Sequence, residues 1–119
     1  SLPESFGDLS ALAFLDLMDN QLRELPASCA RLGALRRLTV MYNPLAAFPA
    51  AVLKLGKLTY LNLGYAGLTE LPEVLGGLTA LHSLNLTKNR LTDLPAGFCE
   101  LWQLASLDLR DNPLAEPMR

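Results

Sequence analysis

The side chains able to act as nucleophile, base or soft metal ligand are few: Cys29, Cys99 and the single His82. Asp16 with Asp19, and Asp108 with Asp111, add carboxylates three residues apart, the donor type of acid–base or cation chemistry. Such groups act only where they converge. One His and two Cys cannot complete a four-ligand zinc site, and no G-x-x-x-x-G-K-[ST] or G-x-G-x-x-G run is present to cradle phosphate. Gly76-Gly77 closes a return segment and needs no ligand. Whether any of these residues meet depends on the elements that carry them.

Those elements repeat. Leu opens a unit at positions 9, 32, 55, 78 and 101, a constant spacing of 23, and each full unit reads L-x-x-L-x-x-L-x-[LV]-x-x-N-x-L-x-x-[LF]-P. The first is Leu9, Leu12, Leu15, Leu17, Asn20, Leu22, Leu25, Pro26. The second is Leu32, Leu35, Leu38, Val40, Asn43, Leu45, Phe48, Pro49; the fourth is Leu78, Leu81, Leu84, Leu86, Asn89, Leu91, Leu94, Pro95. Leu15-x-Leu17 alternates as a short strand does, whereas Leu25, Cys29, Leu32 and Leu35 follow helical spacing. Each unit is therefore predicted to be one strand and one loosely helical return, with Pro suited to a first helical position. A lone unit cannot bury its leucines; stacked units place them in rows.

On these residues the chain resembles the leucine-rich repeat family, in its 23-residue subclass with Leu-Pro after the Asn, and the match covers essentially the whole chain. The resemblance implies an α/β fold: a curved solenoid with a parallel sheet on the concave side and short helical or irregular returns on the convex side. It also implies a buried ladder of Asn side chains, here Asn20, Asn43, Asn89 and Asn112, that pairs backbone groups in the turns. The third unit has Ala66 instead, within Gly64-Tyr65-Ala66-Gly67. Losing one ladder amide leaves backbone groups unpaired at about 1–3 kcal/mol unless the loop changes, so a local irregularity is expected there.

The repeat separates the reactive groups. Cys29 takes an apolar position of its return, equivalent to Val52, Leu75 and Phe98, and is expected to be a buried, inert thiol. Cys99 lies three units away, roughly 15 Å at about 4.8 Å per stacked strand, so both cysteines are expected as free thiols without a disulfide. His82 falls beside a strand, away from both. A Ser-His-Asp set from His82, Ser83 or Ser106, and Asp108 would stand on an open, wet surface without an oxyanion pocket. The carboxylate pairs read as solvated charge. The sequence thus predicts no catalytic residue, no metal and no cofactor. Asn85-Leu86-Thr87 fits a glycosylation acceptor, relevant only in a secreted chain, and we read it as unmodified.

Net charge is −2, against a general nucleic-acid or anionic-membrane binder. The charge is uneven: Leu25 to Thr69 holds Arg31, Arg36, Arg37, Lys54 and Lys57 and no acid. The longest nearly uncharged apolar stretch, Leu45 to Leu53, contains Pro49 and is far short of the roughly 20 residues that span a bilayer. No signal peptide can be read, and the expected compartment is cytoplasmic, of a host cell if the chain is a pathogen effector. Residues 1–119 are expected to form a single domain with a partial unit at 1–8. Leu2-Pro3 with Phe6 resembles the tail of a unit, and Pro117-Met118 stands where Leu-Pro is expected. We therefore expect a portion of a longer protein.

Outward positions of the strands carry the functional reading. The column 14, 37, 60, 83, 106 is Phe, Arg, Tyr, Ser, Ser; the column 16, 39, 62, 85, 108 is Asp, Thr, Asn, Asn, Asp. Column 18, 41, 64, 87, 110 is Met, Met, Gly, Thr, Arg, and column 19, 42, 65, 88, 111 is Asp, Tyr, Tyr, Lys, Asp. Packing does not require Phe14, Met18, Met41, Tyr42, Tyr60 or Tyr65 to face outward, and such types are enriched at interface centres. The sequence therefore predicts a non-catalytic protein-interaction module whose concave face binds a partner through Phe14, Arg37, Met41, Tyr42, Tyr60 and Tyr65. With Arg36 and Arg37 in an acid-free segment, the partner is expected to be a protein with an acidic or phosphorylated surface. Two alternatives stay open: these side chains cover one another, as Arg37 stacked on Tyr60, or the array is a spacer or assembly segment associating through its ends. An enzyme ranks last, because the fold offers a trough and not a water-excluding pocket.

Overall fold

The structure, a computed structural model, describes residues 5, 8–9, 11–95 and 104–113. Leu2-Pro3, Phe6, Phe98, Cys99, Leu101 and Pro117-Met118 lie outside the described residues. Five three-residue strands, β1 (Phe14–Asp16), β2 (Arg37–Thr39), β3 (Tyr60–Asn62), β4 (Ser83–Asn85) and β5 (Ser106–Asp108), form one parallel sheet in chain order. Leu15, Leu38, Leu61, Leu84 and Leu107 are register partners, so the 23-residue phase becomes a row of leucines on the inner side. Period-2 alternation places their neighbours on the opposite, open face.

Burial follows from stacking. Leu38, Leu61 and Leu84 are at most 1% exposed, whereas Leu107 in the outermost strand is 40% exposed. An inner leucine is covered by a unit on each side; this is the nearest-neighbour logic of a solenoid. Val40, Leu63 and Leu86, and Leu35, Leu58 and Leu81, form further buried rows. Among the described residues no helix is long and apolar enough to cross a membrane.

Among the described residues three returns are seen whole, each a single 3-10 segment: Ala27–Arg31, Ala50–Lys54 and Glu73–Gly77. Pro26, Pro49 and Pro72 precede them with φ of −62°, −72° and −72° and extended ψ. Proline thus sits one place earlier than the expected first helical position. Its carbonyl accepts the first turn bond, from Cys29, Val52 and Leu75 N–H at 3.0–3.1 Å. Its ring fixes φ where no N–H is needed. Cys29 is buried at 3% exposure in this wall.

Asparagine ties the turns together. Asn43 Nδ2 donates to the Leu17 and Val40 carbonyls at 2.8 and 2.9 Å, and its Oδ1 accepts from Asn20 and Leu22 N–H at 3.0 and 2.8 Å. Asn89 repeats this with the Leu63 and Leu86 carbonyls and with Ala66 and Leu68 N–H. Asn112 donates to Leu86 and Leu109 and accepts from Leu91 N–H. Asn20 differs: it is exposed, and its Nδ2 donates to the Met18 carbonyl in its own turn.

The break at Ala66 appears one unit earlier than expected. A ladder oxygen serves N–H groups 21 and 23 residues before it, so the turn deprived by Ala66 is that of Asn43 and Leu45. There Leu45 N–H turns to the Asn43 carbonyl at 2.9 Å, and Ala46 N–H donates to the Ala66 carbonyl at 2.9 Å. Ala46 adopts φ 61°, a left-handed conformation unfavourable to a residue with Cβ. The loop 43–47 has refolded around the missing amide.

Candidate ligand-binding face

Two groups of side chains stand on the open face of the first three units, at opposite ends of the strands. At the strand starts, register pairs Phe14 with Arg37 and Arg37 with Tyr60. The Arg37 Cζ lies 4.6 Å from the Tyr60 ring centroid and 5.5 Å from that of Phe14. Phe14 is 63% exposed. A guanidinium covered by rings loses water from its faces but keeps in-plane N–H donors, the edge that matches a carboxylate or phosphate. A cavity of about 250 Å³ opens here, with Asp16, Met18, Thr39 and Asn62 also on its wall.

The Thr39 hydroxyl is buried in that wall and has no hydrogen-bond partner among the described residues. Asp16 makes no ion pair with Arg37 among the described residues, and its Oδ1 accepts from Met18 N–H at 3.0 Å. Met41 is half-buried and lies across Gly64: a Cβ on Gly64 would stand 3.3 Å from the Met41 methyl and 3.2 Å from Asn62 Oδ1. Asn62 Nδ2 in turn points at the Met41 sulfur at 3.6 Å. Met41 therefore forms the floor of the trough more than a projecting anchor.

At the strand ends, Tyr42 and Tyr65 stack with ring centroids 4.4 Å apart and planes tilted by 32°. Partial desolvation, then the neighbouring Tyr65 and Asp19, raises the Tyr42 hydroxyl pKa above its ordinary value. Asp19, Tyr42, Tyr65, Lys88 and Asp111 all have φ between 55° and 63°. The turns are locked there because Tyr42 N–H bonds Gly64 O, Tyr65 N–H bonds Thr87 O and Lys88 N–H bonds Arg110 O. Left-handed backbone suits Asp, Asn or Gly; holding a tyrosine in it costs on the order of 1 kcal/mol. A stacked ring pair returns a similar amount, about 0.5–1.5 kcal/mol. Sequence reading found the two tyrosines but not this conformation, although aspartates in the same column were its signal.

Beside the tyrosine pair the refolded loop leaves a notch of about 560 Å³ walled by Pro44, Ala46, Ala66, Gly67 and Arg90, with Asp19 at its rim. Sequence reading missed the notch, because it arises from the ladder gap.

In units four and five the same columns carry Ser83, Ser106 and paired charges. Lys88 is 3.9 Å from Asp111, and Arg110 clasps Asp108 at 2.7 and 2.9 Å, holding that carboxyl well below the usual range. Exposed pairs of this kind contribute little to stability. His82 is exposed, with Nδ1 2.8 Å from the Ala80 carbonyl. No cluster of three His, Cys, Asp or Glu suited to a metal occurs among the described residues.

A parallel sheet lining an open face, with 3-10 returns behind it and an asparagine ladder between turns, defines the leucine-rich repeat solenoid. Residues 56–114 match the family model described as Leucine rich repeat, and the fold is that of leucine-rich repeat proteins. A solved leucine-rich repeat protein of Leptospira interrogans is 34% identical with a TM-score of 0.92, covering 98% of this chain and 30% of that one. A plant peptide hormone receptor in complex with RGF2 is 28% identical with a TM-score of 0.80, covering 93% of this chain and 19% of the receptor. The ectodomain of a membrane receptor kinase of Arabidopsis thaliana, in complex with Casparian strip integrity factor 2, is 25% identical with a TM-score of 0.80. The match covers 94% of this chain and 14% of that one. The chain spans less than a third of each of these proteins. No curated protein matches it.

Proposed function

We propose that this chain is a non-catalytic recognition module, of the 23-residue Leu-Pro repeat type, that binds an acidic segment of a protein partner on its concave face. The observation that carries the reading is Arg37 held between Phe14 and Tyr60, with its N–H edge open and no carboxylate paired to it among the described residues. Comparison supports the class of partner, since two similar solenoids were solved with RGF2 and with Casparian strip integrity factor 2. The open cavities along the face suit a chain laid on it better than a reaction that must exclude water.

The test is selection of displayed peptides on the immobilised chain, followed by affinity measurement on Arg37→Ala. Enriched peptides are expected to carry Asp or Glu, and Arg37→Ala is expected to weaken them about 10–100-fold, the worth of a charge-assisted hydrogen-bonded pair. Equal binding by the variant removes Arg37 from the site. Enrichment without acidic residues removes the acidic partner.

A further inference from the structure

We infer that the gap in the asparagine ladder at Ala66 has become a second anchoring pocket. Together with Arg37 it measures an extended partner segment that runs along the strands, acidic at one end and aromatic up to about five residues away. This rests on the concave-face reading above and adds the direction, spacing and second chemistry of the ligand.

Three observations converge. First, the notch exists because of a substitution: with Ala66 in place of Asn, loop 43–47 folds aside and leaves about 560 Å³ against the stacked rings of Tyr42 and Tyr65. Its walls are the two aromatic rings, Pro44, two alanines and Gly67, with Asn43, Asp19 and Arg90 adding polar edges, a surface for a flat aromatic side chain that carries a polar atom, such as an indole. Both tyrosines are exposed, at 45% and 37%, and keep a backbone conformation that Asp or Asn would hold with less strain.

Second, both anchors belong to the same two units. Arg37 and Tyr42 lie on the second, Tyr60 and Tyr65 on the third, so the line joining the anchors follows β2 and β3 instead of crossing the solenoid. Units four and five offer Ser83, Ser106 and the Lys88–Asp111 pair in these columns, and no comparable anchor. Five residues at about 3.3 Å each set an upper bound of roughly 16 Å on the separation, shortened by the turn after Thr39, which an extended peptide spans with up to four residues between its own anchors.

Third, the track between the anchors is low, because Met41 lies flat over Gly64.

The probes are synthetic peptides, N-acetylated and C-amidated, with glutamate and tryptophan separated by one, four or seven Gly/Ser residues, titrated into the isotope-labelled chain by NMR. The four-residue spacer is expected to bind at least about tenfold tighter than the one-residue spacer and to shift amides at both Arg37 and Gly67, because both anchors then engage one molecule. Tyr65→Asn, which suits the left-handed turn and keeps the fold, is expected to abolish the spacing preference while glutamate-dependent shifts at Arg37 persist. Affinity independent of spacing, with shifts at Arg37 alone, overturns the two-anchor inference and leaves the acidic site standing. Absence of shifts at Arg37 with every peptide overturns both.

Discussion

Asn89→Ala is expected to lower the unfolding free energy by about 3–4 kcal/mol, read from the shift of the urea midpoint. Asn89 is 5% exposed, and its side chain makes four bonds of 2.9–3.1 Å: two donated to Leu63 and Leu86 carbonyls, two accepted from Ala66 and Leu68 N–H. Removing it strands two donors that sit in buried residues, each costing about 1–3 kcal/mol. Three of the four partners are 21 to 26 residues away in sequence, so the damage falls on the junction between units three and four. Hydrogen exchange is expected to accelerate at Ala66 and Leu68. A loss below about 1 kcal/mol would mean that the third turn can refold as loop 43–47 has done, and the ladder would then be dispensable at this junction as well.

Leu61→Ala is expected to cost about 3–4 kcal/mol, and Leu107→Ala about 1 kcal/mol or less, although both residues hold the same place in the repeat. Leu61 is fully buried between Leu38 and Leu84, its register partners on either side, whereas Leu107 is 40% exposed. Truncation at β3 leaves a cavity lined by two neighbouring units that cannot both collapse into it. Chemical denaturation of the two variants, compared directly, checks the difference. Equal losses would mean that the outer strand is packed as tightly as the inner ones, contrary to its exposure.

Some features of the face were legible from residue types alone. Phe14, Arg37 and Tyr60 share a column because the repeat advances by 23 residues, and parallel pairing turns that phase into side-by-side contact. The stacking of Arg37 on Tyr60 is the arrangement the sequence offered as mutual cover. The structure shows a second ring on the other side and an open N–H edge, which no column of letters contains. Met41 reads in sequence like any outward methionine, but Gly64 on the next strand gives it a seat, and its exposure is lower for that reason.

The sequence by itself determined the order of the sheet, the register of every strand, the leucine rows and the turn asparagines. These follow from a strict 23-residue phase, in which each residue meets its equivalent in the next unit and local pattern and global packing agree. Only the tertiary structure decided where the missing amide at Ala66 is felt, how loop 43–47 answers it and which pocket results. A ladder side chain acts on backbone groups more than 20 residues before it, so its absence is expressed in another unit. Tertiary structure likewise decided that two tyrosines occupy left-handed turns, because inter-unit hydrogen bonds on the backbone override the preference of the side chain.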